Sequence, residues 1–249
     1  MIILKTKNEI AGIKQACRIS ALALKAGVDA VRPGVTTWDI NRAVHDCITK
    51  NNAKPAFLGY GGFPAAACIS VNEEVIHGIP SKHKVINEGD IVSIDVGAIY
   101  NGYYGDNAYT VGAGEISEEL KQLLLVTEKS LYLGIEAAQC GNRLGDIGNA
   151  VQSYCESFGY GVIRDFVGHG CGKKLHEDPQ VPNYGTKGRG GRLTRGMTIA
   201  IEPMISLKGS SVYQKADGWT VITESGKPSA HFEHTIAITD NGPVILTQI

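Results

Sequence analysis

Acidic side chains interrupt segments that otherwise read as buried strand. Asp95 lies inside Ile91-Val92-Ser93-Ile94-Asp95-Val96-Gly97, and Glu202 inside Met197-Thr198-Ile199-Ala200-Ile201-Glu202-Pro203-Met204. Desolvating a carboxylate costs several kcal/mol or more, so buried acids are found paired or bound to a cation. Asn101-Gly102 is a strong hairpin signal. A two-residue turn there pairs Tyr100 with Tyr103 and places Gly97 opposite Asp106. Asp95 then shares a face with Asp106, diagonal to it at about 7–8 Å between Cα atoms. Glu233, in Ala230-His231-Phe232-Glu233-His234-Thr235, and His169, in Val167-Gly168-His169-Gly170-Cys171-Gly172, offer further ligands. No basic residue is close in sequence to offset these charges. Asp95, Asp106, Glu202 and Glu233 with one neutral imidazole carry four negative charges, which two dications balance and one does not. Such a set suits Mn²⁺, Fe²⁺, Co²⁺ or Zn²⁺ at a two-metal centre better than a structural thiolate zinc. Ordinary salt bridges or solvated strand ends are the competing explanation.

The elements that must position these groups follow from pattern. Thr6-Lys7-Asn8-Glu9 has capping-box spacing and opens a helix over 7–30, closed by Arg32-Pro33-Gly34. A second helix spans 37–50, with Ile40, Val44, Cys47 and Ile48 on one face. After the glycine-rich loop 58–64, strands are expected over 67–72, 90–100 and 103–111. The second half repeats the order: helices over 117–138 and 144–158, a glycine-rich stretch, then strands over 197–206, 219–223 and 230–239, ending at Asp240-Asn241-Gly242. The repeated order hints at an internal duplication. No linker divides the halves, so one domain over 1–249 is expected, with pseudo-repeat halves of about 7–112 and 115–240 sharing one sheet core.

Composition excludes several classes. The 24 basic and 25 acidic residues give a net charge of −1, which argues against a surface built to hold nucleic acid or anionic lipid. Thirty-one glycines in 249 residues signal many tight turns and close backbone approaches. The six cysteines (Cys17, Cys47, Cys68, Cys140, Cys155, Cys171) form no C-x-x-C pair and read as reduced core residues of a cytosolic protein. The N-terminus lacks a signal-peptide core, and no run of 18 apolar residues occurs, so a cytoplasmic protein without a membrane span is expected.

At these five residues the sequence resembles the type I methionine aminopeptidases of the pita-bread metallopeptidase superfamily, over nearly the whole chain. The similarity is carried by six motifs in order: residues 70–80, Asp95-Val96-Gly97, Gly105-Asp106-Asn107-Ala108, Gly168-His169-Gly170-Cys171-Gly172, Ile201-Glu202-Pro203-Met204 and Phe232-Glu233-His234-Thr235. The resemblance implies an α+β pita-bread fold, whose pseudo-twofold halves share an antiparallel sheet core covered by two pairs of helices. It implies that Asp95 binds one metal and His169 with Glu202 the other, while Asp106 and Glu233 bridge. A hydroxide between the metals would be the nucleophile, and Glu202 would also relay the proton of the attacking water. His77 and His176 match the histidines that contact the scissile amide and the carbonyl side. Tyr60, Phe63, Cys68, His77 and Trp219 match the lining of a methionine pocket, in which rings and a thiol suit a polarizable thioether. Without the resemblance, Tyr60, Phe63 and Cys68 would read as packing residues. Gly61 and Phe63 depart from the residues common in relatives, which leaves the pocket rim less determined than the metal ligands.

The implied activity is removal of the initiator methionine from nascent proteins whose second residue is small. Nascent polypeptide N-termini are the implied partners, with the ribosome as a candidate place of contact. Prolidases and aminopeptidase P carry a large extra N-terminal domain, for which this chain has no room. Type II relatives carry a helical insertion for which 196–233 is too short, and non-enzymatic pita-bread modules have lost their ligands. Two-metal phosphoester hydrolysis would want a cationic clamp, absent from the ligand motifs. The bare catalytic domain of the bacterial kind, as a monomer, is the expectation. His45, His83 and His231 read as solvated or structural, and His234 as pointing away from Glu233. Lys187-Gly188-Arg189-Gly190-Gly191-Arg192 reads as a mobile, solvated loop in preference to a phosphate or ribosome site.

Overall fold

The computed structural model describes residues 1–248. Helix α1 (Lys7–Ala30) begins as its cap dictates: the Thr6 hydroxyl accepts from the Glu9 amide and the Glu9 carboxylate accepts from the Thr6 amide. Helix α2 (Thr37–Lys50) repeats the device with Thr36 and Asp39. In the second half, α3 (Glu118–Ala137) is capped by Ser117 and packs on α4 (Leu144–Glu156). The helices thus form two pairs over a curled, antiparallel sheet system, the pita-bread arrangement.

The nine-stranded sheet runs β1 (Lys54–Pro55), β4 (Ile91–Tyr100), β5 (Tyr103–Gly112), β14 (Glu233–Thr239), β9 (Thr198–Ile201), β7 (Gly168–Gly170) and β8 (Glu177–Val181). In addition, β2 (Ala67–Val71) pairs with β4, and β15 (Gly242–Ile245) with β14. Two three-stranded sheets complete the fold. One joins β13 (Ser229–His231), β10 (Met204–Ser206) and β6 (Gly161–Val162); the other joins β11 (Val212–Gln214), β12 (Val221–Thr223) and β3 (Glu74–Ile76).

Strand alternation sorts the two faces. Val92, Ile94, Val96 and Ala98 of β4 enter a core with Ile40 and Ile48 of α2 and Ile69 of β2, leaving Asp95 on the opposite face. A second core gathers Leu123, Ile135, Ile147 and Val151 from α3 and α4 against Ile199 and Ile236. Gly105 lets α1 press onto β5, since a Cβ there would lie 2.3 Å from the Cys17 nitrogen.

Several expectations need correction. The strand expected over 197–206 is two strands in different sheets, β9 and β10, parted at Glu202-Pro203 where proline withdraws an N–H from the ladder. The strand expected over 230–239 likewise divides at Phe232 into β13 and β14. The strand over 219–223 shortens to β12, and α4 stops at Glu156, before Phe158. Strands as short as β3 and β7 carry too few residues to show a period. All six thiols are free, but Cys140 is exposed rather than in the core.

Candidate active site

The Asn101-Gly102 turn adopts left-handed backbone at both residues and sets the expected register, Tyr100 opposite Tyr103 and Gly97 opposite Asp106. Register then aligns a row across four strands: Cys68 of β2, Asp95 of β4, Ala108 of β5 and Glu233 of β14. Directly opposed residues in antiparallel strands share a face, so Asp95 and Glu233 flank the small Ala108, and Asp106 lies two residues along β5 on the same face. Ile201 pairs with His234, which carries Glu202, the next residue, to the side of Glu233. β7 pairs with β9 on its other edge and delivers His169.

The side chains converge. His169 Nε2 is 3.7 Å from Asp106 Oδ2 and 3.6 Å from Glu202 Oε1. The candidate ligand atoms of Asp106, His169 and Glu233 lie within 4.8 Å of one another. His169 Nδ1 is 2.9 Å from the Gly170 carbonyl. Only a protonated Nδ1 can donate to that oxygen, so the Nε2 lone pair faces the carboxylates. Asp95 Oδ1, Asp106 Oδ1 and Glu233 Oε1 are buried acceptors with no hydrogen-bond partner. Among the described residues no lysine or arginine lines the cavity.

Buried acceptors without donors are rare and costly, and two ligands of one divalent ion at ordinary bond lengths stand about 3–3.5 Å apart. Orphaned oxygens, a fixed imidazole lone pair and separations of 3.6–3.7 Å therefore fit divalent metal. The charges agree. In the metal-free site, burial and then the neighbouring acids hold Asp106 and Glu233 well above the usual carboxylate range, and burial lifts Asp95 to about 7. Burial also pushes Glu202 upward, but the His231 imidazole 3.4 Å away, with those of His169 and His77, outweighs it, leaving its carboxyl below the ordinary value.

These residues form the floor of a cavity of about 180 Å³. Its walls include Tyr60, Phe63, Cys68, His77, His176 and Trp219, so all the site residues expected from sequence meet in one place. Phe63 meets Trp219 edge-on at 5.1 Å between ring centres. Gly61 turns its hydrogen to Trp219, leaving 3.2 Å where a Cβ would stand. His77 has left-handed backbone, φ +59°, a strained conformation for a residue other than glycine. The following Gly78 passes so close to β2 that a Cβ would fall 2.2 Å from the Ile69 carbonyl oxygen. His176 stands at the mouth with Nδ1 2.7 Å from the Tyr60 hydroxyl and its ring 4.3 Å from that of His169. Burial and then His169 lower its pKa to about 4, so its imidazole is neutral. Burial lowers His77 as well.

The geometry joins a metal-ready acidic floor to an apolar, aromatic pocket of side-chain size. Residues 11–240 match the profile of metallopeptidase family M24. The chain belongs to metallopeptidase family M24. Membership of M24 brings with it the use of divalent metal. A methionine aminopeptidase of Clostridium acetobutylicum is 56% identical over 247 residues, covering 99% of both chains. The crystal structure of a methionine aminopeptidase from Thermotoga maritima superposes with a TM-score of 0.98 at 52% identity, covering each chain fully. A prolidase of Pyrococcus furiosus shares the fold at a TM-score of 0.80 and 28% identity, but the match covers only 66% of that chain.

Sequence reasoning missed His231. It is not solvated: 1% exposed, it sets Nε2 3.4 Å from Glu202 Oε2. The Thr110 hydroxyl locks its backbone, accepting from its N–H and donating to its carbonyl. Position beside a presumed turn hid it, and only the break at Phe232 turns it inward. Phe57, Phe166 and Leu175 also line the cavity and had no motif to announce them. His234 faces away as expected, 2.8 Å from the Thr247 hydroxyl. The 187–192 loop is largely exposed, and its backbone is held by Asp146 and Arg143. Among the described residues no helix is long and apolar enough to cross a membrane.

Proposed function

We propose that this chain removes the N-terminal methionine from nascent polypeptides whose second residue is small. One observation carries the reading: four carboxylates and a lone-pair-fixed imidazole meet under a pocket walled by Phe63, Trp219 and Cys68. The relatives' names agree with it. Asp95 would hold one divalent ion, His169 and Glu202 a second, with Asp106 and Glu233 shared between them. Two dications balance the four acids, and Co²⁺, Mn²⁺, Fe²⁺ and Zn²⁺ all suit the donor set. Bound there, the ions supply Lewis acidity to the scissile carbonyl and acidity to water.

The chain's own groups do the rest. Glu202, ionised and steadied by His231, takes the proton from the attacking water and passes it to the leaving amine. Neutral His77 and His176 present N–H donors to the scissile amide and its carbonyl side, and the Tyr60 hydroxyl, donating to His176 Nδ1, leaves Nε2–H free for that task. Phe63, Trp219 and Cys68 accept the thioether, each sulfur–aromatic contact contributing about 0.3–1.5 kcal/mol. The 249 residues act as one catalytic domain, a monomer whose halves each carry a helix pair and a core of their own.

The test is cleavage of Met-Gly-Xaa, Leu-Gly-Xaa and Xaa-Pro peptides with Mn²⁺ or Co²⁺ added. Methionine peptides turn over and the others do not. Equal cleavage of the leucine series removes the methionine pocket from the reading, and preference for Xaa-Pro bonds moves the chain to the prolidase side of the fold.

A further inference from the structure

The segment before α1 carries a side chain that sequence patterns give no reason to notice. Lys5 is buried, and its Nζ meets Glu177 Oε2 at 2.5 Å, with both side chains only 5% exposed. The Lys5 amide donates to the Gly196 carbonyl at 2.7 Å, tying the segment to the residues just before β9. Glu177 Oε1 accepts the backbone N–H groups of Lys173 and Lys174 at 2.8 and 3.1 Å. Glu177 therefore closes the loop between β7 and β8 from inside, and Lys5 neutralises it. The fit is tight: a Cβ on Gly172 would lie 2.7 Å from Lys5 Cε. Burial pushes the Glu177 carboxyl upward, and the Lys5 contact and loop amides outweigh it.

That loop joins two of the site's imidazoles. His169 lies in β7 at its start, and His176 immediately precedes Glu177 at its end. A buried carboxylate stripped of its cation must take a proton or move toward water, because an unpaired buried charge costs several kcal/mol. Movement releases the Lys173 and Lys174 amides and shifts the residue beside it, and protonation weakens their charge-assisted bonds to Oε1. His169 is anchored independently by Gly170 and the sheet, whereas His176 is held by Glu177's position and by the exposed Tyr60.

We infer that Lys5 is a positioning residue for catalysis: through its buried ion pair with Glu177 it fixes the loop that aims the His176 imidazole at the substrate carbonyl. The inference rests on the role given to His176 above. Displacing a reacting group by about 1 Å costs on the order of 10²-fold in rate. Lys5→Met is expected to lower kcat by about 10–100-fold with KM nearly unchanged, as befits a contact made in the transition state.

The experiment is a double-mutant cycle on the Mn²⁺-loaded enzyme, with Lys5→Met, His176→Ala and the pair, read alongside the His176 imidazole NMR resonances of the metal-free Lys5→Met protein. Support is a kcat loss in each single variant, a pair no slower than His176→Ala alone, and a displaced His176 resonance. An unchanged kcat in Lys5→Met, additive losses, or an unmoved resonance overturns the inference while leaving the His176 role intact. Full activity in His176→Ala instead strikes the role of His176 and the inference with it. If Lys5→Met melts below the assay temperature, Lys5→Gln, which removes the charge but leaves a neutral donor beside Glu177, takes its place in the same cycle under the same outcomes.

Discussion

Stripping divalent metal from this protein should make its stability fall more steeply with pH than that of the loaded protein between about pH 5 and 7. In the metal-free fold, burial holds Asp106 and Glu233 well above the usual range, with like charges adding to the effect, and lifts Asp95 to about 7. In the unfolded chain the same groups ionise near about 4. Across the window the folded state keeps protons that the unfolded state has lost, so each raised group contributes stability at low pH that disappears as pH climbs through its folded value. Each retained proton is worth about 1.4 kcal/mol per pH unit, so Asp95 alone makes the metal-free slope more negative than the loaded one by about 1.4 kcal/mol per unit below pH 7, and Asp106 and Glu233 add in the same direction. His77, His176 and His234, held below their ordinary value by burial, add a slope of the opposite sign that is common to the metal-free and the loaded protein, so comparing the two isolates the carboxylates. Metal demands ionised carboxylates, so loading should remove this contribution and release protons below about pH 7. Urea unfolding at both ends of the window, in EDTA and in Mn²⁺, measures the slope; calorimetry in buffers of different ionisation enthalpy counts the protons. Equal slopes with and without metal, or no proton release on loading, would refute the account of buried acids awaiting a cation.

Three substitutions probe other parts of the argument. Glu202→Gln keeps the shape and loses the proton acceptor, so kcat should drop by about 10²–10⁴-fold in a peptide-cleavage assay. Ala108 sits between Asp95 and Glu233 in the register row and is 3% exposed. Ala108→Leu should fill the metal floor and weaken Mn²⁺ binding by more than about tenfold, read by titration, because two ligands can no longer close on one ion. Gly105→Ala drives a Cβ to 2.3 Å from the Cys17 nitrogen in α1, so it should cost about 1–3 kcal/mol and lower Tm by about 2–12 °C in a thermal melt.

What the sequence by itself determined is local. Caps at Thr6 and Ser117 start helices where they were expected, because a hydroxyl meeting an amide three residues on involves nothing distant. The Asn-Gly turn sets one register, and a period of two then places Asp95 and Asp106 on one face without further information. Glu202 stands out as an acid inside a buried run, but which of Glu202, Glu233 and His169 share which ion became legible only as motifs in a family's order. Tertiary structure alone decided the rest. Proline at 203 and the break at Phe232 send β10 and β13 into a second sheet, which turns His231 toward Glu202 although its neighbours suggested a surface turn. Phe166 and Leu175 join the cavity from connections with no periodicity to read. Lys5 and Glu177 meet across 172 residues. Pairings of that range are selected by burial and charge neutralisation in the assembled core, and no window of sequence contains both partners.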